Sequence, residues 1–516
     1  MESSTYSTQH NQPPVDTISS LLTDNVSFIQ NSMGASSDLI YKEIRNNDSL
    51  KMLLVYLDGL IDMQQLNGHI LSSLLSIESE KIVVLSAHEQ VDYILKQALV
   101  AAHSGSFTST QELFSRMLSG HVILLMEGNS QGIWVDAAGW EERSVGEPLS
   151  QGVVRGPMEG FTENLRTNTA LVRKRIQDQR LWIGTKKIGA VTKTSVAIMY
   201  LEHLADQKVL AELNRRLDSI EIDSILESGY IEEEIQDTAF TPFPTIYNTE
   251  RPDTIAAGIL EGRIAIFVDG TPFVLLVPAL FIQFFQSAED YYQRADISTL
   301  LRLIRFLSFF IALLAPAFYI AITTFHQEML PTNLLISLAA QREGVPFPAF
   351  IEALLMEVTY EILREAGVRI PKTVGQAVSI VGTLVIGQAA VEAGVVSAAM
   401  VIIVSITAIS TYVVPENGMS IAVRMMRFVF MMLAASFGLF GILLGLLAMT
   451  LHLTTLRSFG VPYTSPFGPF IAGDIKDTVL RVNWPLMRTR PRSFGSETSP
   501  RSQKRSYRQK KRRRMW

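Results

Sequence analysis

At 516 residues, with 47% hydrophobic side chains and a mean hydropathy of +0.22, the chain is more apolar than an ordinary soluble protein. It contains no cysteine, which excludes disulfides, thiolate zinc sites and thiol nucleophiles. The formal net charge is −5, but 13 of the 45 Lys and Arg lie from Arg481 onward, where the only acid is Glu497.

Residues 1–29 form a polar extension. Composition predicts disorder to about Asp16, and Ile18, Leu21, Leu22, Val26 and Ile29 then recur near helical spacing. There is no basic and apolar signal-peptide pattern at the start. The run 51–57 reads as a strand, followed by Asp58-Gly59 and a helical pattern to Ile77. Helical spacing returns over 90–101 and 111–118, and 120–126 with 132–135 reads as a hairpin around Gly-Asn-Ser-Gln.

The same grammar recurs about 140 residues later. Val55-Tyr-Leu-Asp-Gly-Leu-Ile-Asp62 aligns with Met199-Tyr-Leu-Glu-His-Leu-Ala-Asp206, and Ser119-Gly-His-Val-Ile-Leu-Leu-Met-Glu-Gly128 with Glu261-Gly-Arg-Ile-Ala-Ile-Phe-Val-Asp-Gly270. A third pairing sets Leu39-Ile-Tyr-Lys-Glu-Ile44 against Leu171-Val-Arg-Lys-Arg-Ile176. Two ordered matches at nearly one spacing argue for duplication, giving α/β subdomains at 30–149 and 150–275. The apolar run 271–285, interrupted by Pro272 and Pro278, is expected to lie at or in the membrane interface.

A membrane domain is expected over 276–470. Four apolar runs, 303–325, 374–391, 395–414 and 421–451, approach or exceed the ~20 residues a helix needs to cross a bilayer. The fold class is therefore an α/β soluble region of two duplicated subdomains followed by an all-α polytopic transmembrane helical bundle. Arg302 and Arg305 before the first run, and the basic tail 471–516 after the last, place both termini in the cytoplasm. On this count Arg424 and Arg427 fall at the outer surface, unless 346–366 also enters the membrane.

Chemistry-bearing patterns are few. The chain has no phosphate loop, no dinucleotide glycine fingerprint and no His-Glu-x-x-His helix, and its eight histidines lack metal-ligand spacing. Neither an enzyme, a metal site nor a cofactor is expected. On a helix, Gln376, Ser379, Thr383, Gly387 and Ala390 share one narrow stripe, with Val381 and Val385 among the aliphatic residues opposite. Such a stripe is a helix-packing seam or the wall of a pore with an aliphatic gate, since both use the same residue types. Glu352 is expected to project into the apolar face of Ile351, Leu355, Met356, Ile362 and Leu363, while Glu357, Glu361, Arg364 and Glu365 form a polar stripe. Glu352, and after it Glu392, are thus candidate intramembrane acids. Gly441 and Gly445 have the spacing of a close helix crossing. The Arg- and Lys-rich stretch 501–514 suits anionic lipid better than nucleic acid in a membrane protein.

Longer strings carry a resemblance. Val154-Arg-Gly-Pro-Met-Glu-Gly-Phe-Thr-Glu-Asn-Leu-Arg-Thr-Asn168, Leu226-Glu-Ser-Gly-Tyr-Ile231, Glu250-Arg-Pro-Asp253 and Val268-Asp-Gly-Thr-Pro-Phe273 lie in the soluble part. Arg342-Glu-Gly-Val-Pro-Phe-Pro348, Pro371-Lys-Thr-Val-Gly-Gln-Ala-Val-Ser-Ile-Val-Gly382, Ile386-Gly-Gln-Ala-Ala-Val-Glu-Ala-Gly394 and Arg457-Ser-Phe-Gly-Val-Pro-Tyr463 lie in the membrane part. Together they resemble the spore germinant receptor A-subunit family, the GerA family of endospore-forming bacteria, over about 37–469. The resemblance implies a nutrient-sensing receptor subunit in the spore inner membrane. Its implied partners are a transporter-like B subunit that binds the germinant and a C-subunit lipoprotein. It also implies a homo-oligomeric ring acting as a ligand-gated ion channel, which favours the pore reading of the Gln376 stripe. A secondary transporter and a non-conducting scaffold are the competing expectations.

Overall fold

A computed structural model of the chain describes residues 17–46, 50–77, 82, 84–99, 103–139, 146–148, 150–369, 387–494 and 501. It divides into two compact units, one of 1–152, 157–234 and 248–276, the other of 153–156, 235–247 and 277–516.

The first unit holds two five-stranded sheets of identical strand order. Strands β1 (Leu39–Asn46), β2 (Leu50–Leu57), β3 (Ser104–Phe107), β4 (His121–Met126) and β5 (Gly132–Asp136) lie in the order β1-β2-β4-β5-β3. Strands β6 (Leu181–Ile188), β7 (Thr194–Leu201), β8 (Tyr247–Thr249), β9 (Ile264–Val268) and β10 (Val274–Val277) repeat it as β6-β7-β9-β10-β8. Successive strand residues point to opposite faces. On β2, Met52, Leu54 and Tyr56 enter one hydrophobic core, while Leu53, Val55 and Leu57 enter the other. A strand covered on both faces reads as an unbroken apolar run, which is why 51–57 stands out in the sequence.

Helices repeat with the strands. α1 (Leu22–Met33) precedes β1, and α2 (Thr110–Leu118) precedes β4; α3 (Leu165–Arg175) precedes β6, and α5 (Pro252–Leu260) precedes β9. The two long sequence matches occupy equivalent places. Asp62 caps the helical turn at Met63–Gln65 by accepting from the Gln64 amide at 2.8 Å, and Asp206 caps α4 (Gln207–Asp218) by accepting from the Lys208 amide at 2.8 Å. Gly120 and Gly262 each end the helix before the next strand at φ +88° and +97°, where glycine is favoured. The third match fails, because Leu39 to Ile44 lies on β1 whereas Leu171 to Arg175 lies on α3; the counterpart of β1 is β6.

Part of the run 271–285, expected at the membrane interface, belongs instead to the second sheet. Residues Val274–Val277 are β10, wholly buried in the second sheet, and Phe281–Phe285 is a short 3-10 helix with Phe284 and Phe285 buried.

The second unit is helical: α6 (Ala295–Phe325), α7 (Thr332–Arg342), α8 (Ala349–Arg369), α9 (Gly387–Glu392), α10 (Ala398–Val413) and α11 (Asn417–Thr455). Among the described residues, α6 and α11 are long and apolar enough to cross a membrane, and α10 is a shorter apolar helix. A straight helix of 39 residues would be about 58 Å long, far more than one crossing needs. Instead α11 folds in two at Gly438, whose φ of 61° and ψ of −140° are non-helical. Beyond it, a side chain at Gly441 would meet the Leu433 carbonyl oxygen at 2.2 Å, and one at Gly445 would meet Phe430 at 2.8 Å. Residues 8 to 15 positions apart touch only if the second arm runs back along the first. The run 421–451, expected to be one span, is thus a helical hairpin.

Depth in this unit follows from specific contacts. The Arg427 Nε donates to the Ala312 carbonyl at 2.8 Å, and a Cβ on Gly438 would lie 2.7 Å from His326. The first arm of α11 therefore runs parallel to α6. The Tyr319 hydroxyl lies 3.3 Å from Ser397 Oγ, while Arg427 reaches Thr411, so α10 runs the opposite way. After α11, a two-residue hairpin pairs Arg457–Ser458 with Val461–Pro462. Asp477 then returns to the start of α6, accepting from Arg302 at 3.0 Å beside the buried Asp290, which binds Arg302 at 2.9 Å and Arg305 at 2.8 Å.

Candidate functional site

A series of buried and half-buried charges in the helical unit lies along α8. This helix starts after Pro346-Phe347-Pro348 and carries Glu352, Glu357 and Glu361. Residues four or five apart on an α-helix fall within one half of its circumference, so all three can face neighbouring helices. Ala349, Ala353 and Met356 fill the face between them and are buried, whereas Ile351, Leu355, Val358 and Ile362 are exposed. The expected placement of Glu352 among Ile351, Leu355 and Ile362 is thus corrected. The apolar face points outward, and Glu352 points in with the charged set.

Each carboxylate has its own partner. Glu352 accepts from the Ser397 amide at 2.6 Å and from its hydroxyl, at the N-cap of α10, and Arg342 stands 3.7 Å away. Glu357 accepts from Arg427 Nη1 at 2.5 Å, with both side chains closed to solvent (0% and 1% exposed). Arg427 also donates to the Ala312 carbonyl and to Thr411 Oγ1, so one guanidinium joins α6, α8, α10 and α11. Glu361 accepts from Arg424 at 2.6 Å, at side-chain exposures of 28% and 18%. The lower-numbered glutamate pairs with the higher-numbered arginine, which makes α8 antiparallel to the first arm of α11. Each carboxylate keeps one oxygen (Glu352 Oε2, Glu357 Oε1, Glu361 Oε1) with no protein hydrogen-bond partner among the described residues. A lone ion in a low-dielectric interior is very unfavourable, and these pairings offset part of that cost.

Of the residues singled out from sequence, Gln376, Ser379, Val381, Thr383 and Val385 lie outside the described residues. Gly387 is buried on α9, where a Cβ would sit 3.5 Å from Val401, and Ala390 is half-buried on the same helix. Glu392 is exposed and accepts from Gln388 at 2.9 Å. Gly441 and Gly445 lie at the crossing of the two arms of α11. Arg427, expected with Arg424 at the outer surface, sits instead level with the middle of α6, on the Ala312 carbonyl. Within the expected polar stripe, Glu361 takes Arg424 rather than the nearby Arg364, which lies over the Tyr412 ring at 5.3 Å, and Glu365 pairs with Arg369 at 2.6 Å. The missed signal was two arginines three apart within an apolar run, facing glutamates four apart.

The soluble unit carries a cleft. Asp38 accepts from Arg173 Nε and Nη2 at 3.0 Å each, and Arg173 also donates to the Leu181 carbonyl and to Ser36. Beside this tie, a cleft of ≈ 450 Å³ opens between the two halves, lined by Gly59, Asp62, Asn164, Arg166 and Lys174, with Arg166 held to Asp58 at 2.7 Å.

A duplicated α/β module is thus followed by a helical unit with two apolar helices of membrane-crossing length and a buried charge seam. The comparisons identify its kind. Residues 27–493 match the family model described as Bacillus/Clostridium GerA spore germination protein. "Spore germination protein KA" of Bacillus subtilis (strain 168) is 48% identical over 96% of this chain and 90% of its own length. The "Uncharacterized membrane protein YfkQ" of the same organism is 44% identical over 95% and 94%, and "Spore germination protein GerLA" of Bacillus cereus is 38% identical over 91% and 95%. A crystal structure of the N-terminal domain of the A subunit of the Bacillus megaterium spore germinant receptor GerK3 aligns at 38% identity and a TM-score of 0.42, over 52% of this chain and all of that one. The chain belongs to the GerA family of spore germination proteins.

Proposed function

We propose that the chain is the A-type subunit of a nutrient-sensing germinant receptor in the spore inner membrane, and that copies of it form the receptor's ion-conducting ring. The observation that carries this reading is the Glu357–Arg427 pair. Charges this deeply buried among apolar helices are costly, and in membrane proteins they mark ion routes and moving parts. Family membership supplies the receptor context, with a transporter-like B subunit and a C-subunit lipoprotein as partners.

In this reading α6, α8, α10, both arms of α11 and the apolar run at 374–391 cross the membrane. The contacts to Ala312, His326 and Ser397 fix the sense of the described helices. Both ends of the α11 hairpin then lie with the start of α6, on the cytoplasmic side, as the basic tail requires. The stripe of Gln376, Ser379 and Thr383 lines the ring axis, Val381 and Val385 form its gate, and the Arg-rich tail meets anionic lipid. The duplicated α/β module supplies flat faces for ring assembly. No catalysis is involved.

Electron microscopy of the protein purified with its co-expressed partners tests this. A closed cyclic ring with 374–391 around its axis supports the channel. A monomer, or a one-to-one complex without a central axis, rejects it in favour of a scaffold or transporter.

A further inference from the structure

The seam along α8 holds that helix in an unusual way. Its outward face is apolar and exposed, with Ile362 at 64%, and its inward apolar contacts come from small or flexible residues, Ala349, Ala353 and Met356. What fixes α8 is largely polar: Glu352 at the N-cap of α10, then Glu357 and Glu361 on two arginines of α11. The first arm of α11, by contrast, is anchored to α6 through the Arg427–Ala312 bond and the close approach of Gly438 to His326.

The polar attachment is also incomplete. Among the described residues, Glu352, Glu357 and Glu361 each keep one carboxylate oxygen without a protein hydrogen-bond partner, and Arg424 Nε and Arg364 Nη1 nearby also have none. A fully satisfied buried network rigidifies a core, and a partly satisfied one does so less. The two rungs are graded as well, the inner one closed to solvent and the outer one partly open.

We propose that the Glu357–Arg427 and Glu361–Arg424 rungs are a latch holding α8 against α11, and that release of α8, beginning at the outer rung, is the conformational step that activates the helical unit. Glu361 and Arg424 act as positioning residues. The latch rests on the channel reading for its output but not for its motion.

Because the chain has no cysteine, thiols placed at Ile362 and Met425, both exposed, are its only sites for spin labels. Labelled full-length protein, diluted with unlabelled copies and purified with its partners, is read by pulsed electron resonance. The parent is expected to give one narrow distance distribution. R424Q is expected to broaden or lengthen it by about 5 Å, one helical turn, and the charge reversal E361R/R424E to restore it. If R424Q does not reach the membrane, E361Q, which removes the more exposed partner, is read in the same way. An unchanged distribution in the rung-broken variant, or a reversal that fails to restore it, overturns the latch. Nutrient-free potassium release from cells expressing the receptor, expected to rise about fivefold in R424Q, separates the two claims. A distance that moves without ion release keeps the latch and rejects the channel; a static distance rejects the latch whatever the ions do.

Discussion

Arg427 places its Nη1 2.5 Å from Glu357 Oε2, joining α11 to α8 where both side chains are shut off from solvent. Removing one partner of such a pair strands the other. Glu357→Ala is expected to destabilise the protein by about 3–5 kcal/mol. Glu361→Ala, which breaks the more exposed rung, is expected to cost about 0–1 kcal/mol. Thermal unfolding of the two variants in detergent checks the difference, and equal losses would contradict the assigned depths.

Gly438 turns α11 back on itself in a backbone region that side chains rarely occupy. Gly438→Ala is expected to cost about 1–3 kcal/mol from backbone strain alone, with the approach to His326 adding to it. A straight helix would instead gain from alanine, by about 1 kcal/mol. The sign of the change in melting temperature therefore tests the hairpin.

Asp38 and Arg173 tie the two halves of the soluble unit, with the guanidinium 1% exposed. Asp38→Ala removes the carboxylate that faces that charge and leaves, among the described residues, the Ser36 hydroxyl and the Leu181 carbonyl. A loss of about 3–5 kcal/mol is expected, measurable by denaturant unfolding followed through Trp182, which lies at the same junction beside Gly34.

His121, at the start of β4, has its imidazole pKa lowered; burial is the main cause, Arg116 adds to it and Asp136 opposes it without cancelling it. The unfolded chain therefore binds a proton more readily than the folded one. The neutral ring's contribution to stability is fully present above the ordinary histidine value of about 6.5 and is lost as pH falls below it. His121→Gln is expected to flatten the decline in melting temperature between pH 7.5 and 5.5 relative to the parent. A parallel decline would contradict it.

Local patterns in the sequence were reliable where one element decides them. Residues 51–57 read as a strand because both faces of β2 are buried, and the matches ending on Asp62 and Asp206 found the duplication because each ends on a helix cap. The first part of 271–285 misled because a strand buried on both sides, here β10, and a short membrane segment have the same composition. Gly438 stands in plain view beside Gly441 and Gly445, but the break it makes in an apolar run leaves no mark in hydropathy. Glu357, Glu361, Arg424 and Arg427 were all visible, but their pairing is tertiary. Glu361 had an eligible partner three residues away in Arg364, and nothing in the chain's order favoured Arg424, 63 positions on.

Thr383→Trp tests the central claim most directly, because it places bulk on the stripe assigned to the ring axis. Potassium release on exposure to nutrient mixtures is compared between spores carrying the variant and the parent, at matched levels of the protein in the membrane and matched co-purification of its partners. The channel account expects assembly to be unchanged and release to be lost. Normal release from fully assembled Thr383→Trp receptors would show that ions do not pass along that face.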